Sequence, residues 1–440
     1  MKIAIVGSGI SGLVCGWVLQ REHDISIYEA GAYAGGHTNT VDVDLDGQQF
    51  AVDTGFIVFN DRTYPQFISL LNQLGVESIP TSMSFSVRCD RCGVEYGGSS
   101  LRTLFAQQGS LRRISHWRMV ADILRFNRQA PRLLHGLDGE ATVGDFLLRH
   151  GYSQAFAEHY LLPMGAAIWS CPASVFQQFP VRFIVQFFQN HGLLSLRDRP
   201  VWRTVKGGAR TYVEAILRRF RGTVQLNNPV RQIVRQPDRV QVTSANGTES
   251  FDEIVLACHS DQALQLLADP SPCERDVLRK FPYSRNSAVL HTDDTVLPQC
   301  RRTWSSWNYL VPAGEEEHPC VTYNMNILQH LPARRTVCVT LNGEDRIAPE
   351  QVLRRFEYNH PVFTTERDAA QQRHGELIRT RRTSFCGAWW GNGFHEDGVR
   401  SALSVCERFG LGLHEKYRAS TPRPIAQCPA TQVPVATGAD

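Results

Sequence analysis

Lysine is nearly missing from this sequence. Only Lys2, Lys206, Lys280 and Lys416 occur in 440 residues, so positive charge is carried almost entirely by arginine. The formal net charge is +3, too small an excess to hold nucleic acid. Long apolar runs are missing too: no stretch approaches the ~20 residues that a membrane-spanning helix needs. The first strand-like run begins at residue 2 and leaves no room for a signal peptide. A cytoplasmic protein is expected, with at most peripheral contact on the inner face of a membrane. The twelve cysteines lack a framework spacing and read as reduced thiols and small core residues. Cys89-x-x-Cys92 is the one suggestive pair. With no second CxxC or histidine at zinc spacing, and with strand-like Ser84–Val87 and Val94–Tyr96 on either side, it reads as a hairpin turn. No metal site is expected. There is no internal repeat, and the length admits two domains.

What is present is concentrated at the start. Lys2–Val6 is a short apolar run, as in a buried parallel strand. Gly7-Ser8-Gly9-Ile10-Ser11-Gly12 follows, then an apolar helix, then a second strand Ile25–Tyr28 ending in Glu29 and Ala30. Strand, glycine turn, helix, strand and acid form a dinucleotide fingerprint in context. Gly7 permits the tight turn, Gly9 lets a pyrophosphate approach the backbone, and Gly12 lets the helix pack on the strand. The helix start, with Ser11, offers free N–H groups to phosphate. Glu29 can accept hydrogen bonds from ribose hydroxyls.

Gly35-Gly36-His37-Thr38 resembles the second glycine motif of FAD enzymes with the glutathione-reductase-like fold. Gly-Gly-Arg is usual there, and His37 stands in the arginine position. Asp53-Thr54-Gly55-Phe56 is similar to a segment that passes close to the flavin in those proteins. Nucleotide-like pattern returns at Val224–Ala257 and again at Ser384–Ala388. Three such segments with two insertions resemble the flavin amine oxidase and phytoene desaturase superfamily, to about residue 415. The resemblance implies an α/β fold: a Rossmann-type FAD-binding domain of 1–78, 200–272 and 380–420, with an inserted α+β substrate domain of 79–199 and 273–379. Residues 421–440 read as a disordered tail. It also implies that Val230 and Ala257 lie near the adenine, that the loop from Gly387 to Asp397 and Gly398 meets the ribityl chain and flavin, and that a helix beginning at Val399 aims its positive end at the flavin. Ala388 and Trp389 occupy the place where members often carry an acid.

The combination Asp53–Asn60, Met83–Val87, Trp304-x-x-Trp307-Asn308-Tyr309 and Phe394–Gly398 is similar to one bacterial branch. Its genes often sit beside cyclopropane-fatty-acyl-phospholipid synthase-like methyltransferases, and its members are linked to desaturation of methyl-branched acyl chains. By that resemblance the substrate is lipid or another apolar small molecule.

A glutathione-reductase-type enzyme needs a second GxGxxG for NAD(P)H, and none is present, so oxygen or a quinone is the expected electron acceptor. Three readings stay open. In the first, Trp389, Trp390, Trp307, Tyr309 and Tyr323 line a site for an activated acyl chain and stabilise developing positive charge. His395 and Glu396, then His291, are the candidate bases. Core packing is the plain alternative for each aromatic, and a structural role for His291. In the second, the protein is an amine oxidase. That group usually holds a lysine against the flavin, but Tyr283–Val289 contains none, and Lys280 serves only if the register slips. In the third, the protein binds flavin without catalysis. The stretch 160–195 is dense in aromatics, with Phe183, Phe187 and Phe188 at helical spacing. It reads as a core helix, a tunnel wall or, over 176–194, a membrane-interface patch. The arginines from Arg112 to Arg132 read as a solvated helix face or a contact with an anionic surface.

Overall fold

The computed structural model describes residues 1–134, 141–195, 199–314 and 318–413. The tail assigned to 421–440, the end of the last nucleotide segment and Lys416 lie outside the described residues.

A five-stranded parallel sheet is drawn from distant parts of the chain. Its order is Thr223–Gln225, Asp24–Tyr28, Lys2–Val6, Glu253–Leu256 and Thr383–Phe385. Ile3, Ala4 and Ile5 are all buried because both faces of this sheet are covered, which explains an apolar run without alternation. The helices Ile10–Leu19 and His395–Glu407 pack one face through Leu13, Val14, Val18, Ala402 and Val405. An antiparallel three-stranded sheet, Val230–Arg235, Val240–Ser244 and Gly247–Phe251, meets the other through Val242 and Phe251.

The chain leaves this sheet twice. A seven-stranded sheet runs in the order Val352–Pro361, Tyr283–His291, Cys338–Leu341, Cys320–Asn324, Trp307–Val311, Phe85–Cys89 and Val94–Gly97. The pairs are antiparallel except that of Trp307–Val311 with Phe85–Cys89. A helical cluster between Ile114 and Asn190 packs against it. The ten-residue strand Val352–Pro361 gave no sequence signal, since the charged side chains of Arg354, Arg355 and Glu357 face solvent.

Two expectations are corrected. The helix Val181–Asn190 buries Val181, Ile184, Val185, Phe187 and Phe188 and exposes Arg182, Gln186, Gln189 and Asn190. The apolar face of this helix therefore turns inward, as the core-helix reading has it, and the membrane-interface reading of 176–194 is the one corrected; a fully buried ring there contributes roughly 1.5–3 kcal/mol. The last helix starts at His395, not Val399. Asp397 accepts the Phe394 N–H at 3.0 Å and so caps the first turn, a start that Gly398 disguises. Among the described residues no helix is long and apolar enough to cross a membrane.

Candidate active site

A cavity of about 730 Å³ opens at the C-terminal ends of the parallel strands, where ligands bind in open α/β sheets. One wall is the glycine turn. Gly7 has φ +101°, and a Cβ on Gly12 would stand 1.9 Å from the Gly7 carbonyl oxygen, so the strand-to-helix turn closes only with glycine. The helix Ile10–Leu19 has no side-chain cap at Gly9, and its first N–H groups are left for a ligand. A Cβ on Gly9 would meet no protein atom within 4 Å, while Gly36 approaches so near that its Cβ would lie 3.0 Å from the Gly9 Cα. Glu29 accepts from the Ser8 N–H at 2.9 Å and the Ser8 hydroxyl at 2.5 Å through one oxygen, and from the Gly31 N–H at 2.8 Å through the other. The oxygen that accepts from Gly31 keeps a lone pair for a further donor.

Gly7, Gly9, Ser11, Glu29, Ala30, Gly35, Gly36, His37, Gly55, Phe56, Val230, Ala257 and Gly387 all line the cavity. Gly12, Thr38, Asp397, Gly398 and Val399 do not. Gly12 is spent on the helix–strand contact. Thr38 turns its hydroxyl to Tyr212, 2.5 Å away, and to the Nε2 of His395 at 3.0 Å. Asp397 holds the N–H groups of Asn392 and Phe394. Gly398 presses on Ile10 and receives the Ser11 hydroxyl at its carbonyl, and Val399 is core. The starts of two helices, at Ile10 and His395, thus meet through Ser11 and Gly398 beside the cavity. This arrangement fits FAD: open space over Gly9, uncapped amides, and a half-buried His37 whose buried Nε2 has no protein partner although the residue lines the cavity. Burial, with His360 and His259 beside it, drives His37 well below the ordinary imidazole pKa, so it supplies a hydrogen-bonding ring rather than the fixed charge of an arginine.

The opposite wall is aromatic and aliphatic. Met164, Ile168 and Trp169 come from the helical cluster with Phe187, and Trp307, Tyr323 and Tyr358 from the large sheet. Of the candidate catalytic residues, Trp389, Tyr323 and His395 reach the cavity; Trp390, Tyr309 and Glu396 do not. Trp390 packs behind Trp389, ring centres 4.3 Å apart, and stacks on His374 at 4.2 Å, so it sits one layer back from the cavity. Tyr309 lies two residues beyond Trp307 on its strand, in the core of the large sheet. Glu396 accepts the N–H groups of Gln66 and Phe67 at 3.0 and 2.9 Å and caps the helix Pro65–Leu74; burial pushes its carboxyl up to about 7. His291 is structural, its Nε2 2.7 Å from the Thr340 hydroxyl and its Nδ1 accepting the Asp293 N–H.

His395 stacks on Phe56, 3.5 Å between ring centres, and its Nε2 lies 3.0 Å from the Tyr212 hydroxyl. Burial lowers its pKa to about 3. Sequence reasoning missed Tyr212 and His191. His191 lines the cavity, pairs its Nδ1 with the Phe187 carbonyl at 2.9 Å, and so presents an unprotonated Nε2, 3.3 Å from the Thr63 hydroxyl. Only burial and that carbonyl single it out, and neither is visible in sequence.

Among the described residues the lining holds no lysine, no arginine and one carboxylate, Glu29. Lys280 is not at the site: its Nζ pairs with Glu366 at 2.9 Å.

A family profile described as flavin containing amine oxidoreductase matches residues 10–292. Over 349 residues the chain is 22% identical to AofH of Mycobacterium tuberculosis, a protein assigned as a flavin-containing monoamine oxidase, covering 74% of this chain and 71% of that protein. Three solved structures share the fold. A protein from Exiguobacterium assigned as a protoporphyrinogen oxidase superposes with TM-score 0.67 at 16% identity, over 93% of this chain and 98% of the other. Cyclohexylamine oxidase from Brevibacterium oxydans gives 0.65 at 15%, over 93% and 99%. A CLA-producing fatty acid isomerase from P. acnes gives 0.64 at 14%, over 92% and 98%. The chain belongs to the flavin containing amine oxidoreductase family and is an FAD-dependent oxidoreductase.

Proposed function

We propose that the protein removes two hydrogens from an activated acyl chain, branched or unsaturated, with oxygen or a quinone as the final electron acceptor. The observation that carries this reading is the wall facing the glycine turn: apolar, with neutral imidazoles and, among the described residues, no carboxylate to pair an ammonium. Bound FAD supplies the two-electron acceptor. The amides after Gly9, with Ser11, would hold its pyrophosphate, and Glu29 its ribose. Val230 and Ala257 would border the adenine, and Gly36, His37, Gly55, Phe56 and Gly387 the remainder. Trp307, Tyr323, Trp169 and Phe187 exclude water and offer ring faces to positive charge developing on the chain. The released proton goes to a neutral imidazole, for which His191 Nε2 is the acceptor once the Thr63 hydroxyl, 3.3 Å away, turns aside. The fatty acid isomerase neighbour supports an acyl chain on this fold.

The family match and the AofH relative favour an amine instead, and aromatic walls also attract ammonium groups. Anaerobic mixing decides. The yellow colour should bleach on adding a branched or unsaturated phospholipid, recover in air, and persist with NADPH and simple amines. Bleaching by a primary amine, with lipids inert, would overturn the acyl reading.

Membrane contact is part of the same proposal, relocated from 176–194. Ile114, Trp117 and Leu124 are 72%, 49% and 52% exposed on one face of the helix Ile114–Leu133, with Leu111 and Leu101 alongside. Arg102, Arg112, Arg118 and Arg128 are exposed around them. Such a face suits the interface of an anionic bilayer. Flotation with anionic liposomes should be weakened by salt and abolished by Ile114→Glu with Trp117→Ser; unchanged flotation of that variant rules the face out.

A further inference from the structure

Away from the cavity, three metal-binding side chains converge from two parts of the chain. Cys89 closes the strand Phe85–Cys89 and is buried, and Cys92 sits exposed in the turn that follows. Gly93, at φ +64°, bends the turn so that its N–H reaches the Cys89 carbonyl at 2.8 Å. His159 lies on a single π-helical turn, Ala157–Leu161. Such turns insert a residue into the helical register and are frequent at functional sites. The Cys92 sulfur is 3.6 Å from the His159 Nε2, and the ligand atoms of all three residues lie within 4.8 Å of one another. A tetrahedral zinc with Zn–S of about 2.3 Å and Zn–N of about 2.0 Å puts its ligand atoms roughly 3.5–3.8 Å apart. The cluster is therefore within a small side-chain adjustment of coordinating.

The surroundings hold that geometry. The Tyr96 hydroxyl donates to the His159 carbonyl at 2.6 Å, Arg91 pairs with Glu158 at 2.9 Å, and Arg113 donates to the Cys92 carbonyl at 3.3 Å. All three tie the hairpin to the π turn or fix the loop. Glu158 is occupied by Arg91 and Gln154, so a fourth ligand comes from solvent on the exposed Cys92 side.

We propose that Cys89, Cys92 and His159 bind one zinc-class divalent cation, with a water as fourth ligand, releasing the two thiol protons on binding. The ion clamps the hairpin Phe85–Gly97 to the helix Leu162–Trp169, whose Met164, Ile168 and Trp169 line the cavity. Its role is structural: it joins two segments of the chain, and none of its three ligands lines the cavity of the candidate active site. The 67-residue separation of Cys92 from His159 hides the set from any local spacing rule.

The test uses the full-length FAD-loaded protein, dialysed against metal-free buffer and titrated with cobalt(II), then zinc. Wild type should take up one equivalent of cobalt and show thiolate-type d–d bands to the red of the flavin absorption, and zinc should erase them. Cys92→Ser and His159→Ala should each lose those bands and weaken zinc binding by at least about tenfold. The flavin spectrum should be unchanged, which reports folding independently of the metal. Zinc content equal in wild type and the double variant would overturn the proposal. So would alkylation mapping that finds Cys89 and Cys92 joined as a disulfide.

Discussion

The two walls of the cavity are built by different means. The nucleotide wall is backbone: Gly7, Gly9 and Gly36 bring main chain to within touching distance, and the N–H groups at the helix start are left uncapped. The facing wall is side chain: Ile168, Trp169, Phe187, Trp307 and Tyr323 reach it from segments more than a hundred residues apart. A wall of backbone tolerates one residue type at fixed spacing. A wall of side chains asks only for large apolar groups, and many sequences satisfy it.

The sharpest test of that contrast is Gly9→Val. Gly9 has φ −64° and ψ 178°, comfortable for valine, and no protein atom lies within 4 Å of the added Cβ. The chain should fold, with the helix content and melting behaviour of the apo-protein, yet lose its colour, with FAD affinity down by more than about a hundredfold, since a clash with the cofactor forfeits several kcal/mol. A folded, fully yellow variant would remove the pyrophosphate from this turn.

The same contrast explains what sequence could reveal. The strand–turn–helix–strand run and its returns near 224–257 and 384–388 were legible because phosphate binding at a helix start fixes glycine positions locally. The far wall was legible only as a richness in aromatics. Trp390 was misassigned because it packs behind Trp389 and against His374, a layering that sequence does not show, and Tyr309 because face alternation cannot say how far along a strand a cavity extends. Glu396 and Asp397 were misassigned for a third reason. Gly398 inside the helix looked like its boundary, so two first-turn caps passed for site acids. Tyr212, hydrogen-bonded to both Thr38 and His395, carried no local signal at all.

A middle-sized effect should come from crowding the side-chain wall. Ile168→Trp enlarges a cavity-lining residue that is only partly buried. Flavin content should stay at wild-type level. KM for a long acyl substrate should rise about tenfold, in keeping with the 1–3 kcal/mol typical of overpacking, while shorter substrates are spared. Loss of flavin instead would mean that this wall also holds the cofactor, and the division between the walls would fail.

The smallest effect is expected at the seam between them. Asp53 is fully buried. It accepts the Thr40 hydroxyl at 2.5 Å and the Ala209 N–H at 2.9 Å on the nucleotide side, and the Gln329 side-chain amide at 2.9 Å on the other. Burial nevertheless pushes its carboxyl from an ordinary 3.8 up to about 7, the Thr40 and Ala209 donors opposing the rise. Because the folded value lies above the unfolded one, the contribution of this group is complete below about pH 4. It is lost as pH rises to about 7, where the folded protein must ionise a buried acid that the unfolded chain ionises freely. Asp53→Asn keeps an acceptor for the Ala209 N–H and removes the titration. Other groups titrate alike in both proteins, so the difference in melting temperature isolates this one. The variant should look worse, relative to wild type, at pH 5 than at pH 8. The swing should be at most about 3 kcal/mol, since each unit of pKa is worth about 1.4 kcal/mol, and a few degrees in a chain this long. A difference that stays flat from pH 5 to 8 would mean that the donors from both walls outweigh burial and hold Asp53 ionised throughout, making the seam a stabilising anion site rather than a strained one.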